Sequence, residues 1–247
     1  MAGTMAPGTV LFIDDGGVMN DNAVRGPQWQ RLVGEFLTPI LGGSSAAWGE
    51  ANRVVATRLW TEYQRTTGGR TNFDFRSWLD GYRVAWTREM CEHVGVAAPS
   101  AEDCARLAEG TRDYVTIRVR SALPGVIDAI HLLRRRGYAL HAASGEESGD
   151  LHGYLTGMGV RRCFGRLYGP DLINTPKEGP AYYERAFADA GVAPADAVVV
   201  DDNPLAISWA AAAGARTVLV HGDGAHDGVA GPRVTDLCQL PAALDEL

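Results

Sequence analysis

The sequence predicts an α/β protein: a doubly wound parallel sheet with an all-helical cap domain inserted into it. Three observations carry this. Two unbroken apolar runs, Val10 to Ile13 and Ala197 to Val200, each stop at paired aspartates, Asp14-Asp15 and Asp201-Asp202. A run apolar at every position is covered on both faces, as central strands of a parallel sheet are. From Leu123 onward short strands and helices alternate, the pattern of repeated βα units. Between the first strand and that region the spacing is helical throughout.

Each element has its own reason. The opening strand ends at Asp14-Asp15 with Gly16-Gly17 behind it, and in open α/β sheets the ligand crevice lies beyond the carboxyl ends of the strands. Both aspartates fall there, but adjacent residues of an extended chain point to opposite sides, so Asp15 does not easily stand in for a residue on the side of Asp14. From about Pro27 to about Ser121, Trp78, Tyr82, Trp86 and Met90 recur every four residues, as do Val55, Leu59 and Tyr63. Breaks near Gly42-Gly43, Gly68-Gly69 and Pro99 leave room for about four helices. Such stripes are core-facing, with a minority able to line a pocket. Pro124 opens a helix through Arg136 and Gly137 stops it. Tyr138 to Ala143 reads as a strand ending at Ser144-Gly145, followed by a helical segment through about Met158 and a weak strand near Arg166 to Tyr168. Lys177 precedes a helix over Tyr182 to Ala190. After the second apolar run come a helix from Leu205 to Ala213 and a strand from Arg216 to Val220. The remainder, His221 to Leu247, reads as loops with a short terminal helix. The first strand needs partners, so residues 1–21 and 122–247 are expected to form the sheet domain and 22–121 the cap.

Composition narrows the function. The 247 residues are 46% hydrophobic, enough for a sizeable core, and the formal net charge of -7 with no basic block argues against nucleic acid and anionic membrane as partners. No apolar stretch has the length of a signal peptide or a bilayer span, and Cys91, Cys104, Cys163 and Cys238 show no paired spacing. Both point to a cytoplasmic protein with reduced thiols. Lys and Arg total 23, yet Lys177 is the sole lysine. A position that keeps lysine in an arginine-rich chain is a candidate for needing a compact point charge. His221 and His226 lack a metal-binding pattern and read as loop residues.

Asp14-Asp15, Ser144, Lys177 and Asp201-Asp202 all fall at strand ends or a helix start, so the topology gathers them at one sheet edge. Grouped carboxylates repel unless a hard cation is present, and magnesium suits oxygen ligands completed by water and a substrate phosphate. A serine and a lysine there could hold the phosphate's other oxygens, and an aspartate can attack it as nucleophile.

These segments resemble the haloacid dehalogenase superfamily, in its subclass with a helical cap after the first strand. Phe12 to Asp21 is similar to that family's first motif, Ala142-Ala143-Ser144-Gly145 to its second, Pro176-Lys177-Glu178 through Tyr183 to its third, and Val198 to Pro204 to its fourth. The resemblance covers the opening strand and Leu123 to Val220; the cap matches in position and helical character only. It implies a magnesium-dependent hydrolase of a phosphoric monoester or acyl phosphate, working on a small phosphorylated metabolite through an aspartyl phosphate. Asp14 would be the nucleophile, with Lys177 steadying its charge. Ser144, Gly145 and Lys177 would bind phosphate. Asp14, the Gly16 carbonyl, Asp201 and Asp202 would hold magnesium.

One position departs from the family pattern. Phosphatases of this family carry a second aspartate two residues after the nucleophile, which protonates the leaving oxygen; here that residue is Gly16. General acid help contributes about 10²–10⁴-fold, so leaving groups that are already stable anions suffer least. Two other readings stay open: a non-catalytic phosphate- or metabolite-binding relative, and a dehalogenase-type hydrolase. The phosphonate-cleaving branch needs a cap lysine, which this cap lacks. Arg70-Thr71-Asn72 in the cap read first as a solvated connector between cap helices and second as residues able to reach substrate, and the cap helices leave a homodimer open.

Overall fold

The computed structural model describes residues 8–67, 73–220 and 231–247. Arg70-Thr71-Asn72, His221 and His226 lie outside them. Among the described residues six strands form one parallel sheet in the order β3-β2-β1-β4-β5-β6. The strands are β1 (Val10–Ile13), β2 (Ala139–Ala143), β3 (Phe164–Tyr168), β4 (Ala197–Asp201), β5 (Arg216–Val220) and β6 (Arg233–Val234). Val10 of β1 stands opposite Ala139 on one side and Ala197 on the other. The strand order reverses between β1 and β4, and the carboxyl ends flanking such a reversal are where a doubly wound sheet takes its ligand.

Successive strand residues point to opposite faces, and both faces are apolar here. Leu11, Ile13, Val198 and Val200 join a cluster with Val126, Ile130 and Leu133 of α5 (Val126–Arg135) and Leu151 and Leu155 of α6 (Ser148–Gly157). Phe12 and Val199 face the other way. They pack with Tyr182, Tyr183 and Phe187 of α8 (Pro180–Ala190) and Ala206 and Ala210 of α9 (Pro204–Ala212). Phe12 meets Phe187 edge to face at 4.9 Å. Each such fully buried side chain contributes about 1.5–3 kcal/mol, so β1 is held from both sides and its end is a rigid platform.

The helical block is α1 (Asn22–Leu41), α2 (Ser45–Thr67), α3 (Phe75–Val94) and α4 (Ala101–Thr116). It has its own core around Leu37, Trp48, Val55, Trp86 and Met90, which also takes in Tyr154 of α6. Trp29 Nε1 donates to the Tyr154 hydroxyl at 2.6 Å. The chain leaves and re-enters the sheet region side by side: Asp21 N donates to Ser121 O at 2.7 Å and Leu123 N to Met19 O at 3.0 Å.

Some elements differ from expectation. α1 starts at Asn22, well before Pro27, because the Asp21 carboxylate caps it, accepting from Ala23 N at 2.8 Å and Val24 N at 3.3 Å. The tail contains β6, with Arg233 opposite Leu219, and one-turn α7 (Pro170–Ile173) precedes Lys177. Two-residue strands and single turns carry no periodicity for a sequence pattern to register. No helix among the described residues is long and apolar enough to cross a membrane.

Candidate active site

Three strand ends converge on one ammonium group. Asp14 N donates to Val200 O at 2.9 Å, extending the β1–β4 ladder by a residue and pinning Asp14 at its edge. Lys177, from the loop before α8, lies with Nζ 2.8 Å from Asp14 Oδ1 and 2.7 Å from Asp201 Oδ2 at the end of β4. It also donates to Ala143 O, at the end of β2, at 3.0 Å. Three contacts in three directions from one atom suit a tetrahedral ammonium; a planar guanidinium presents its donors in a fork. That is a physical reason for the chain's sole lysine to stand here.

The group is sealed by its surroundings. Asp201 is 1% exposed, accepts from Asn203 N at 2.9 Å and from the Tyr183 hydroxyl at 3.4 Å. Burial pushes its carboxyl up to about 7, Lys177 opposing the shift and Asp14 adding to it. Burial likewise works against the charge on Lys177, but the carboxylates of Asp14 and Asp201 outweigh it and hold the ammonium well above its ordinary pKa. Asp202 completes the cluster: Asp14, Asp201 and Asp202 each bring a carboxylate oxygen within 4.8 Å of the others. Three carboxyl groups against one ammonium leave negative charge in excess. The all-oxygen donor set and that charge fit a hard divalent cation such as magnesium.

Gly17 makes the approach of Asp202 feasible. Its φ is +82°, and a Cβ there would overlap the Asp202 carboxylate. Gly17→Ala is therefore expected to lose about 1–3 kcal/mol from the backbone conformation alone, and to displace Asp202. Thermal unfolding with and without magnesium checks this: the variant should unfold earlier and gain less from the ion.

Ser144 follows β2 directly. Its N donates to Tyr168 O at 2.9 Å, its carbonyl accepts from the Tyr182 hydroxyl at 3.0 Å, and its Oγ accepts from Glu146 N at 3.4 Å. Ser144 and Gly145 line one cavity of about 600 Å³ with Asp14, Gly16, Lys177, Asp201 and Asp202. Asp14, Gly16, Ser144, Gly145, Lys177, Asp201 and Asp202 thus meet in one space. The helical block roofs it with Trp60, Tyr63 and Gln64 of α2, of which only Tyr63 had a sequence signal, as a stripe residue. Glu178 also lines the cavity and accepts from Thr67 Oγ1 at 3.0 Å.

Residues 8–214 match the family of haloacid dehalogenase-like hydrolases. The chain belongs to this family. Over 146 residues it is 29% identical to phosphoglycolate phosphatase 1 of Pseudomonas aeruginosa, covering 57% of this chain and 53% of that protein, so it spans about half the length of this curated relative. Among solved structures, a 2-haloacid dehalogenase from Pseudomonas syringae pv. Tomato superposes with a TM-score of 0.69 at 18% identity, covering 96% of this chain and 98% of that one. The HAD-hydrolase YfnB of Bacillus subtilis, bound to magnesium, gives 0.64 at 16% identity, with 96% and 98% covered. Other similar structures include L-2-haloacid dehalogenases. Likeness at these identities is a likeness of fold.

Within this hydrolase the two aspartates after β1 part company, as the alternation of an extended chain leads one to expect. Asp15 is fully buried away from the carboxylate cluster, bound by Arg25 Nη1 at 2.5 Å and by Asn20 Nδ2 at 2.7 Å. Adjacent residues of an extended segment point to opposite sides. Burial pushes the Asp15 carboxyl up to about 6, with Arg25 opposing. Arg25 continues outward, donating through Nη2 to Asn22 Oδ1 at 2.5 Å and to Glu146 Oε1 at 3.0 Å. This network had no sequence signal beyond an arginine in a helix. It occupies the direction in which a side chain at residue 16 would point: a Cβ on Gly16 would lie 2.8–2.9 Å from the Asn22 amide and 3.2 Å from Arg25 Nη2.

Proposed function

We propose that this haloacid dehalogenase-like hydrolase is a magnesium-dependent phosphatase of a small phosphorylated metabolite, with Asp14 as nucleophile. The observation that carries the reading is the convergence of Asp14, Asp201 and Asp202 around an excess of negative charge, with Lys177 against Asp14. Dehalogenases of the family work without a metal and lack the paired acids of the last motif, so the cluster favours phosphoryl chemistry. Asp14, Asp201, Asp202 and the Gly16 carbonyl would hold the magnesium, which would neutralise phosphate charge when bound.

The chain's own residues have separable roles. Lys177 pairs with Asp14 through Oδ1 and faces the phosphate, while Ser144 and the Gly145 backbone bind its remaining oxygens. An Asp14 oxygen attacks phosphorus as the bond to the leaving oxygen breaks, and water then cleaves the aspartyl phosphate, releasing inorganic phosphate and restoring the carboxylate. With Asn22 and Arg25 standing where a side chain at residue 16 would reach, no carboxylic acid at that position delivers a proton to the leaving group. Acyl and aryl phosphates are therefore expected to be turned over better than alkyl esters such as phosphoglycolate, by up to about the 10²–10⁴-fold that a general acid supplies.

A panel of acetyl phosphate, 4-nitrophenyl phosphate, 2-phosphoglycolate and 2-chloropropionate, each with magnesium or with EDTA, tests the reading. Phosphate release that EDTA abolishes supports it. Halide release that survives EDTA replaces it with the dehalogenase reading, and an inert protein with the binding-only one. Gly16→Asp combined with Asn22→Ala, which clears the amide from the new side chain, should raise turnover of 2-phosphoglycolate more than that of acetyl phosphate. Equal effects would place the proton source elsewhere.

A further inference from the structure

The place of the missing acid is already filled. A Cβ on Gly16 would lie 2.8 Å from Asn22 Oδ1 and 2.9 Å from Asn22 Nδ2, so the Asn22 amide stands where a side chain at residue 16 would enter. Asn22 lines the reaction cavity with Asp14, Lys177 and Asp202, and it is exposed, so a substrate there can reach it. It is the first residue of α1, directly after the Asp21 cap, and the start of the helix fixes its backbone.

The two ends of this amide are distinguishable. Arg25 Nη2 donates to one of them, and a guanidinium has only donors, so the end that faces Arg25 is the oxygen. The other end, Nδ2, donates to no group among the described residues. Arg25 itself is not free to swing toward a substrate. Asp15 Oδ2 holds its Nη1 at 2.5 Å and Glu146 Oε1 holds its Nη2 at 3.0 Å. The guanidinium therefore anchors the amide. By drawing on Oδ1 it also makes the Nδ2 hydrogens better donors, since linked hydrogen bonds polarise one another.

We propose that Asn22 donates a hydrogen bond from Nδ2 to the leaving-group oxygen of the substrate, a neutral donor in the place of the absent acid, with Arg25 as its positioning residue. The inference rests on the phosphatase reading above. As the phosphorus–oxygen bond breaks, its electron pair passes to the leaving oxygen. The Nδ2 hydrogen bond stabilises that charge and keeps its own proton, and water protonates the released anion. Such a donor accelerates the step only by the charge that develops in the transition state. Its help therefore grows with the basicity of the leaving group, from acetate through 4-nitrophenolate to phenolate.

The test compares kcat/KM, which covers the steps through departure of the leaving group, for phenyl phosphate, 4-nitrophenyl phosphate and acetyl phosphate in magnesium. Wild type is set against Asn22→Ala and against Asn22→Asp, which keeps the shape and an oxygen for Arg25 but removes the donor. In both variants phenyl phosphate is expected to lose about tenfold or more, 4-nitrophenyl phosphate less, and acetyl phosphate under about threefold. A merely structural role would lower all of them by one factor, because the nucleophile and the metal site are common to the three substrates. Equal losses across the substrates, or unchanged turnover of phenyl phosphate in Asn22→Ala, would overturn the proposal and leave the phosphatase reading standing. Loss in Asn22→Ala but not in Asn22→Asp would overturn it too, by showing that the anchor for Arg25 and not the N–H is what counts. A wild-type protein that releases phosphate from none of the substrates overturns the phosphatase reading and this inference with it. Thermal unfolding confirms that each variant is folded, an acidic residue being well suited to the first turn of a helix, and either variant alone separates graded from uniform loss.

Discussion

Asp14→Asn is expected to lower turnover of an aryl phosphate in magnesium on the order of 10³-fold or more, because an amide oxygen is a poor nucleophile and the covalent route closes. The fold should survive. Asparagine is isosteric, and Lys177 keeps its contacts to Asp201 at 2.7 Å and to Ala143 O at 3.0 Å. Steady-state rates with thermal unfolding as control make the measurement. Acid quenching of wild-type protein during turnover should leave phosphate on the peptide that contains Asp14. Unchanged turnover in the variant, or phosphate trapped on another residue, would refute the nucleophile assignment.

The neighbouring aspartate should behave in the opposite way. Asp15→Leu strands the Arg25 guanidinium, 8% exposed, without its closest carboxylate. Breaking one side of a buried ion pair costs about 3–5 kcal/mol, which for a chain of this size lowers the melting temperature by roughly 2–4 °C per kcal/mol. The double variant Asp15→Leu/Arg25→Met should recover most of the loss, since desolvation of the pair offsets much of its attraction. The pH dependence follows the burial of Asp15, which outweighs the pull of Arg25 on its carboxyl. Burial raises the folded-state pKa of Asp15 from 3.8 to about 6, so the native state holds the proton more tightly than the unfolded chain does. Stability associated with this carboxyl is then full below about pH 4 and declines as pH rises through 6. Melting temperatures of wild type and Asp15→Asn across that window check it: the decline should be absent from the variant. A single substitution at residue 15 that left stability unchanged would mean that Arg25 needs no buried counter-charge.

Much of this could be read from residue order alone. Val10 to Ile13 and Ala197 to Val200 became the two central strands because a segment apolar on both faces has nowhere to go but between two helical layers. Asp14, Asp201, Asp202 and Lys177 met because the topology of a doubly wound sheet leaves little choice about where strand ends gather. Contributions from across the chain were not legible in the same way. Trp60 and Gln64 roof the reaction cavity, yet on α2 they look like ordinary surface positions, and only the packing of that helix over the sheet brings them there.

By itself, then, the amino-acid order determined the fold class, the family and the cluster of Asp14, Lys177, Asp201 and Asp202, because backbone periodicity and strand topology act locally and uniformly. Only the tertiary structure decided that Asp15 belongs to Arg25, and that Asn22 and Arg25 stand in the direction of the absent side chain at residue 16. Those outcomes turn on which side chains from distant segments share a few ångströms of space, and the free energy of such contacts comes from burial and charge that no single stretch of sequence contains.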